Sequence, residues 1–195
     1  MPPTDDDLQP WEHLGSRPLA DLHIARARLD RMRHPRTGAE FDRTVLEVPG
    51  WVNVVARTRP GDDHPEGQLV VVRQFRFGTG RISVEVPGGV IDPGEDHRTA
   101  AVRELREETG HTSERWTYLG SVEPNPAFLT NLCHHWLAED CERTHGLDLD
   151  PGEDIAVELI DWPDVAARVH DGTLAHTLVV SALARVVDLR GGFAE

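Results

Sequence analysis

The chain has 195 residues and a formal net charge of -14, with 34 acidic against 20 basic side chains. That length builds one well-buried core but not two ordinary domains and a linker. The acidic balance excludes a broad nucleic-acid or anionic-membrane surface, which needs clustered Lys and Arg, and leaves small phosphorylated ligands open.

Cys133 and Cys141 form neither a metal-ligand pattern nor a disulfide framework, which fits a reducing compartment. The start, MPPTDDDLQP, lacks a basic region and an apolar core, so no signal peptide is expected, and its Asp-rich part is expected to be disordered. The most apolar stretch, LVVSALARVV at 178–187, is too short to span a bilayer and carries Arg185. A cytoplasmic protein is the expectation.

Residues 1–40 scatter Trp11, Leu14, Leu19, Leu22, Ile24 and Leu29 among charges, which predicts short strands and turns. FDRTVLEV (41–48) alternates as a strand, Pro49 and Gly50 turn the chain, and WVNVVART (51–58) is the next strand. LVVVRQFRF (69–77) is the clearest buried strand, followed by ISVEV (82–86), WTYLGSV (116–122), LCHHWLA (132–138) and IAVELID (155–161). On one of these, His134 and His135 are adjacent and must face opposite sides. Two helices are predicted at the end. One starts with Pro163 at its first position, runs to His170 and stops at Gly172; the other covers Leu174 to Leu189 with an apolar stripe of Leu178, Ala182, Val186 and Leu189. The expected class is α/β (α+β), a mixed sheet with helices packed on it, with an N-terminal strand region at 1–50 and the main domain at 51–195.

Between two of these strands lies GVIDPGEDHRTAAVRELREETG (89–110). Pro93 and Gly94 break the preceding strand, Asp96 or Thr99 can cap a helix, and Ala100, Ala101 and Leu105 favour helix until Gly110 ends it. Glu104, Glu107 and Glu108 then stand at i, i+3 and i+4, on one helix face. Like charges so placed repel, and the last turn of a helix disfavours anions by about 0.3 to 1 kcal/mol each. Such a cluster is either a solvated acidic face, partly neutralised by Arg103 and Arg106, or a cation site. Mg²⁺ is hard, takes carboxylate and carbonyl oxygen, and bridges protein carboxylates to substrate phosphates.

The spacing Gly89, five residues, Glu95, seven residues, Arg103-Glu104-Leu105, one residue, Glu107-Glu108, one residue, Gly110 resembles the Nudix box. The likeness covers nearly the whole chain: VVVRQFRFGTGRISVEVPGG (70–89) is similar to the segment preceding the box in ADP-ribose and nucleoside-diphosphate-sugar pyrophosphatases. Pro126, fifteen residues after His111, stands where that subgroup tends to carry a proline. Two features depart from the pattern. The box ends in His111 instead of an aliphatic residue, and the loop after it reads PNPAFLTN (124–131), not the type common in ADP-ribose hydrolases.

What the resemblance implies is the Nudix α/β/α sandwich and hydrolysis of the pyrophosphate bond in ADP-ribose or another nucleoside-diphosphate sugar, giving a nucleoside monophosphate and a sugar phosphate. It implies Mg²⁺, with Mn²⁺ as the alternative, and a homodimer in which the N-terminal strands help build the nucleotide pocket. By motif position Glu104 and Glu108 are the principal metal ligands, Glu107 a second-site ligand, the Gly88 carbonyl a backbone ligand, and Arg103 a residue that orients a box glutamate; Glu95 ties loop to helix. Glu153, in DLDPGEDIAV, matches the acidic loop that carries the catalytic glutamate, with Glu107 next as base; a solvated turn is the other reading of Glu153. Arg73 and Arg76 face opposite ways on one strand, and Arg76 is expected to meet a phosphate or Glu85, a surface arginine being the alternative. Trp51 can stack on a base, or serve as core or dimer contact. Other functions on this fold are a non-catalytic nucleotide-sugar sensor, prenyl-diphosphate isomerisation, and hydrolysis of other nucleotide diphosphates.

Overall fold

A computed structural model describes residues 8–190, and the expected N-terminal disorder lies largely outside them. The chain divides into two compact units, Met1–Pro49 with Glu123–Asn131, and Gly50–Val122 with Leu132–Glu195.

The smaller unit is an antiparallel meander of β1 (Glu12–Asp21), β2 (Arg26–Arg33) and β3 (Glu40–Glu47). β3 lies one residue before the 41–48 expected, while β1 and β2 are longer than the short strands expected at 1–40, β1 because it absorbs Gly15 and Pro18 beside two register shifts instead of ending there. As an edge strand, β1 has room for a residue that donates no ladder hydrogen bond. Segment 123–131 is tied to β3, with Leu46 N donating to the Phe128 carbonyl at 2.8 Å and Thr130 N to the Leu46 carbonyl at 3.2 Å. Charge pairs across the strands cover much of this unit, among them Arg31–Asp42 and Arg33–Glu12. Among its described residues the buried set is Ala27 and Asp30, while Leu19, Leu22, Ile24 and Phe41 stay exposed.

The larger unit is built on β4 (Trp51–Thr58), β5 (Gln68–Arg76), β6 (Arg81–Glu85), β7 (His111–Thr112), β8 (Arg115–Val122), β9 (Cys133–Arg143) and β10 (Ile155–Asp161), with helices α1 (His97–Thr109), α2 (Val165–His170) and α3 (Thr177–Leu183). The sheet runs β10-β5-β4-β9-β7, with β6 added against β5 and β8 against β9. β4 and β9 are parallel and the other pairings antiparallel, so the sheet is mixed. Alternation along β4 sends Val52, Val54 and Ala56 to a cluster with Ala100, Ala101 and Leu105 of α1, and Val55 to a second cluster with Leu69, Val71, Val165, Val179 and Leu183. Each sheet face is thereby roofed by helix, the three-layer arrangement expected.

The C-terminal helices differ in detail from the sequence reading. Trp162–Asp164 forms a 3-10 turn around Pro163, and α2 starts only at Val165. α3 spans seven residues, not the sixteen of 174–189, and its buried side is Val179, Ala182 and Leu183. Beyond it the chain tightens into turns, and Arg185 reaches back to the carbonyls of Leu119 and Ser121. β9 extends past its apolar part to Arg143, because its far end takes β7 as a partner. No helix among the described residues is long and apolar enough to cross a membrane.

Candidate metal and phosphate site

The site begins where the chain leaves β6. Val54 N donates to the Pro87 carbonyl at 2.8 Å and Val52 N to the Gly89 carbonyl at 2.9 Å, which fastens residues 87–89 to β4. Between them the Gly88 N–H turns to Glu108 Oε2 at 2.9 Å. A side chain at Gly88 would run into the Val52 carbonyl oxygen, and one at Gly89 into the Glu104 carboxylate. The two glycines thus let backbone approach both the strand and the helix. Asp96, not Thr99, caps α1, accepting from Arg98 N at 2.9 Å and Thr99 N at 3.1 Å, and Gly110 at φ 72° ends it.

This geometry buries two of the three helix glutamates. Glu104 is 8% exposed and Glu108 3%. Burial pushes Glu104 up to about 7 against the opposing Arg103, with Glu153 and Glu107 adding to the rise. Burial likewise pushes Glu108 up to about 8, opposed by the Gly88 N–H and reinforced by Glu104 and Glu153. Glu107 is half-buried, 3.3 Å from Arg103 and 3.2 Å from Arg106. Arg103 is the hub: its Nε and Nη2 each lie 3.0 Å from the Glu95 carboxylate, its Nη1 donates to Glu104 at 2.8 Å, and Nη2 also reaches the Val90 carbonyl. Its affinity for its proton is raised, first by Glu95. Glu95 in turn accepts from Asp92 N at 3.1 Å, closing the loop onto the helix.

A second group gathers on neighbouring strands. Arg76 forks onto Glu85, Nε to Oε1 at 2.9 Å and Nη2 to Oε2 at 2.6 Å. Glu85 is buried, which works against its charge, yet the Arg76 bonds hold its carboxyl below the usual range. Arg73, as the odd separation requires, does not join this pair and lies 3.9 Å from Glu158. The Arg76 guanidinium carbon stands 5.9 Å from the Trp51 ring centroid, and Trp51 Nε1 donates to Asn53 Oδ1 at 3.0 Å. Glu153 sits in an exposed turn, its N–H on the Asp150 carbonyl and its Oε2 accepting from Asp150 N at 3.1 Å. Its charge acts on Glu104, Glu108 and Arg76. His134 and His135 do point apart: His134 stacks on His97, and His135 is fully buried.

Three contributors escaped the sequence reading. Asn53 is a buried polar residue in an apolar strand, and that break in WVNVVA was the available signal. Asp92 shares the loop with Glu95 and offers its N–H to it, and His176 is a minor contributor to holding the Glu85 carboxyl below its usual range; neither has a sequence signal.

The donors fit a hard divalent cation. They are oxygen donors, two of them are carboxylates whose burial is only partly compensated, by Arg103 and by the Gly88 N–H, and a backbone turn closes over them. Among the described residues no three acidic, imidazole or thiol side chains stand as a ready-made cage; Arg103 draws Glu104 and Glu107, and Gly88 draws Glu108. In the cation-free protein the raised Glu104 and Glu108 groups bind protons that the unfolded chain has already lost. Their contribution to stability is therefore full below the unfolded carboxyl range, near 4.3, and is lost as pH rises through about 7 and about 8. Thermal melts in EDTA should show Tm falling between pH 5 and pH 8.5, with a shallower fall in Glu108→Gln. Equal slopes in the two proteins would refute this assignment of the strain.

Comparisons with known proteins identify the family of the chain. The NUDIX domain model matches residues 52–178. The chain is 32% identical over 173 residues to an ADP-ribose pyrophosphatase of Bacillus subtilis, covering 86% of this chain and 87% of the relative. It is 29% identical over 187 residues to an ADP-ribose pyrophosphatase of Mycobacterium tuberculosis, covering 95% and 87%. A crystal structure of an ADP compounds hydrolase superposes with a TM-score of 0.76 over 92% of this chain and 93% of that one, at 22% identity, and so shares the fold. With the domain matched across the strands and helix that carry the glutamates, the chain belongs to the Nudix family, whose hydrolases generally use divalent metals.

Proposed function

We propose that the protein is a Mg²⁺-dependent pyrophosphatase of ADP-ribose or a closely related nucleoside-diphosphate sugar, releasing a nucleoside monophosphate and a sugar phosphate. The observation that carries this reading is the pair of buried carboxylates, Glu104 and Glu108, one helical turn apart beneath the Gly88–Gly89 turn. The names of the two long relatives supply the substrate class. Mg²⁺, with Mn²⁺ as a substitute, would be held by Glu104, Glu108 and the Gly88 carbonyl with Glu107 at a second position, and supplies charge neutralisation for the pyrophosphate and acidification of water.

The chain's own groups divide the remaining work. Arg103, fixed by Glu95, holds Glu104 and Glu107 in place. Arg76, already forked on Glu85, presents its remaining N–H donors to a phosphate oxygen. Trp51 offers a ring face to the base beside that guanidinium. Glu153 takes the proton of the attacking water as one bridging P–O bond breaks and the leaving phosphate departs. Its exposed turn lets it move, and its charge already acts on Glu104 and Glu108. The buried, unpaired cysteines and the acidic surface accord with a cytoplasmic setting.

A homodimer completes the reading. A three-stranded sheet that buries one apolar residue, Ala27, while leaving Leu19, Leu22, Ile24 and Phe41 exposed does not make an independent core, and a partner copy would cover it.

Three measurements test the proposal. A panel of ADP-ribose, other nucleotide sugars, dinucleotides and nucleoside triphosphates, incubated with Mg²⁺ and resolved by mass, should give the fastest turnover with ADP-ribose or another nucleotide sugar; triphosphates as the best substrates, or no turnover at all, would contradict it. Glu153→Gln should lower kcat by about 10² or more with KM and Mg²⁺ binding nearly unchanged. If kcat holds and only KM moves, Glu153 is a binding or structural residue. Light scattering at micromolar protein should give the dimer mass, and an active monomer would rule the dimer out.

A further inference from the structure

β4 is the centre of the larger sheet, and its residues Val52, Val54, Val55 and Ala56 are fully buried. Asn53 stands among them at 4% exposure. A side-chain amide in that position is costly unless it is bonded, and apolar residues on either side show what the strand otherwise prefers. Its oxygen accepts the indole N–H of Trp51 at 3.0 Å, from two residues earlier on the same face of the strand. The same oxygen lies 3.0 Å from where a side chain at Gly88 would begin. The amide is therefore wedged between the Gly88 backbone and the indole, which fixes its own position and limits what else residue 53 can be.

Trp51 gains its orientation from this contact. It is half-buried at the head of β4, and a partly buried indole seeks an acceptor for its one polar atom. With the N–H pinned, the ring stays within 5.9 Å of the Arg76 guanidinium carbon, inside the range of a cation–π contact. Glu85 holds Arg76 through two of its nitrogens, and Trp51 borders it on a ring face. Of the two substrate-facing groups of the proposed site, Trp51 is thereby held by the buried Asn53 amide and Arg76 by Glu85.

We infer that Asn53 is a positioning residue for substrate recognition, holding the Trp51 indole beside Arg76 so that base and phosphate are met by a preformed pair. The inference rests on the reading of Trp51 and Arg76 as substrate contacts. Asn53 itself touches neither substrate nor metal, so its loss should act on KM through Trp51 and leave the chemical step nearly alone.

Asn53→Leu keeps the branched outline and removes the acceptor, and Trp51→Phe keeps a ring and removes the donor. Each should raise the KM for ADP-ribose by about tenfold with kcat within about threefold of wild type, and the double variant should be no worse than Trp51→Phe alone. Additive effects in the double variant, or a fall in kcat with KM unchanged, would overturn the inference. A measurement on the wild-type protein covers the case in which Asn53→Leu does not fold. The Trp51 indole N–H resonance, identified by its loss in Trp51→Phe, should exchange slowly with solvent, and exchange at the rate of a free indole would equally overturn it. Absence of turnover in the wild type would sink the pyrophosphatase reading instead, and the indole exchange would still decide the Asn53 contact.

Discussion

Burial of Glu104 and Glu108 against the Gly88–Gly89 backbone is the constraint around which the larger unit is arranged. Each unit of pKa elevation corresponds to about 1.4 kcal/mol against the ionised form, so keeping both groups charged near neutral pH costs on the order of a few kcal/mol. A fold selected for stability alone would place leucines there, as it does at Leu105 on the same helix. The surrounding features follow from the need to hold these oxygens in place. Two glycines bring backbone within reach, the parallel pairing of β4 with β9 centres the sheet under α1, and Asp96 and Gly110 fix where the helix begins and ends.

Around that strained pair the arginines act as orienting groups and not as neutralisers of the whole cluster. Arg103 is occupied first by Glu95 and only then reaches Glu104 and Glu107, so the loop and the helix are locked to one another through a single guanidinium. Glu108, the more deeply buried carboxylate, receives a backbone N–H and no direct cation. Arg76 is spent in the same manner on Glu85, which holds a cation at the mouth of an acidic site in a chain of net charge -14. In the proposed function a phosphate would meet this local fork and a metal, while the global field opposes its approach.

Much of this was legible in the residues. The sequence places the end of the box helix at Gly110 and leaves its start between Asp96 and Thr99, because a capping side chain, a breaking Pro-Gly and a terminal Gly each act within one turn. Strands Trp51–Thr58 and Ile155–Asp161 were read to the residue, since period and flanking turns agree there. The length of β1 is hidden by Gly15 and Pro18, which bend an edge strand without ending it. At the C-terminus the predicted stripe matches at Ala182 and Val186 and misses Val179 and Leu183, because Leu178 and Val179 are equally apolar and only packing against Val55 and Leu69 tells them apart. The spacing placed Arg76 near Glu85 but not Asn53 beneath Trp51, a contact that depends on how closely residues 87–89 approach β4. Glu153 lies far from the box in sequence, and its influence on Glu104 and Glu108 exists only in the folded chain.

In the proposed function the buried carboxylate pair carries a cation. Calorimetric titration of the wild-type protein with Mg²⁺ at pH 7, in two buffers of different ionisation enthalpy, addresses it without reference to any substrate. Saturable binding accompanied by proton release is expected, as the cation displaces protons from Glu104 and Glu108, with loss of both signals in Glu108→Gln. Binding of undiminished affinity in that variant would contradict it.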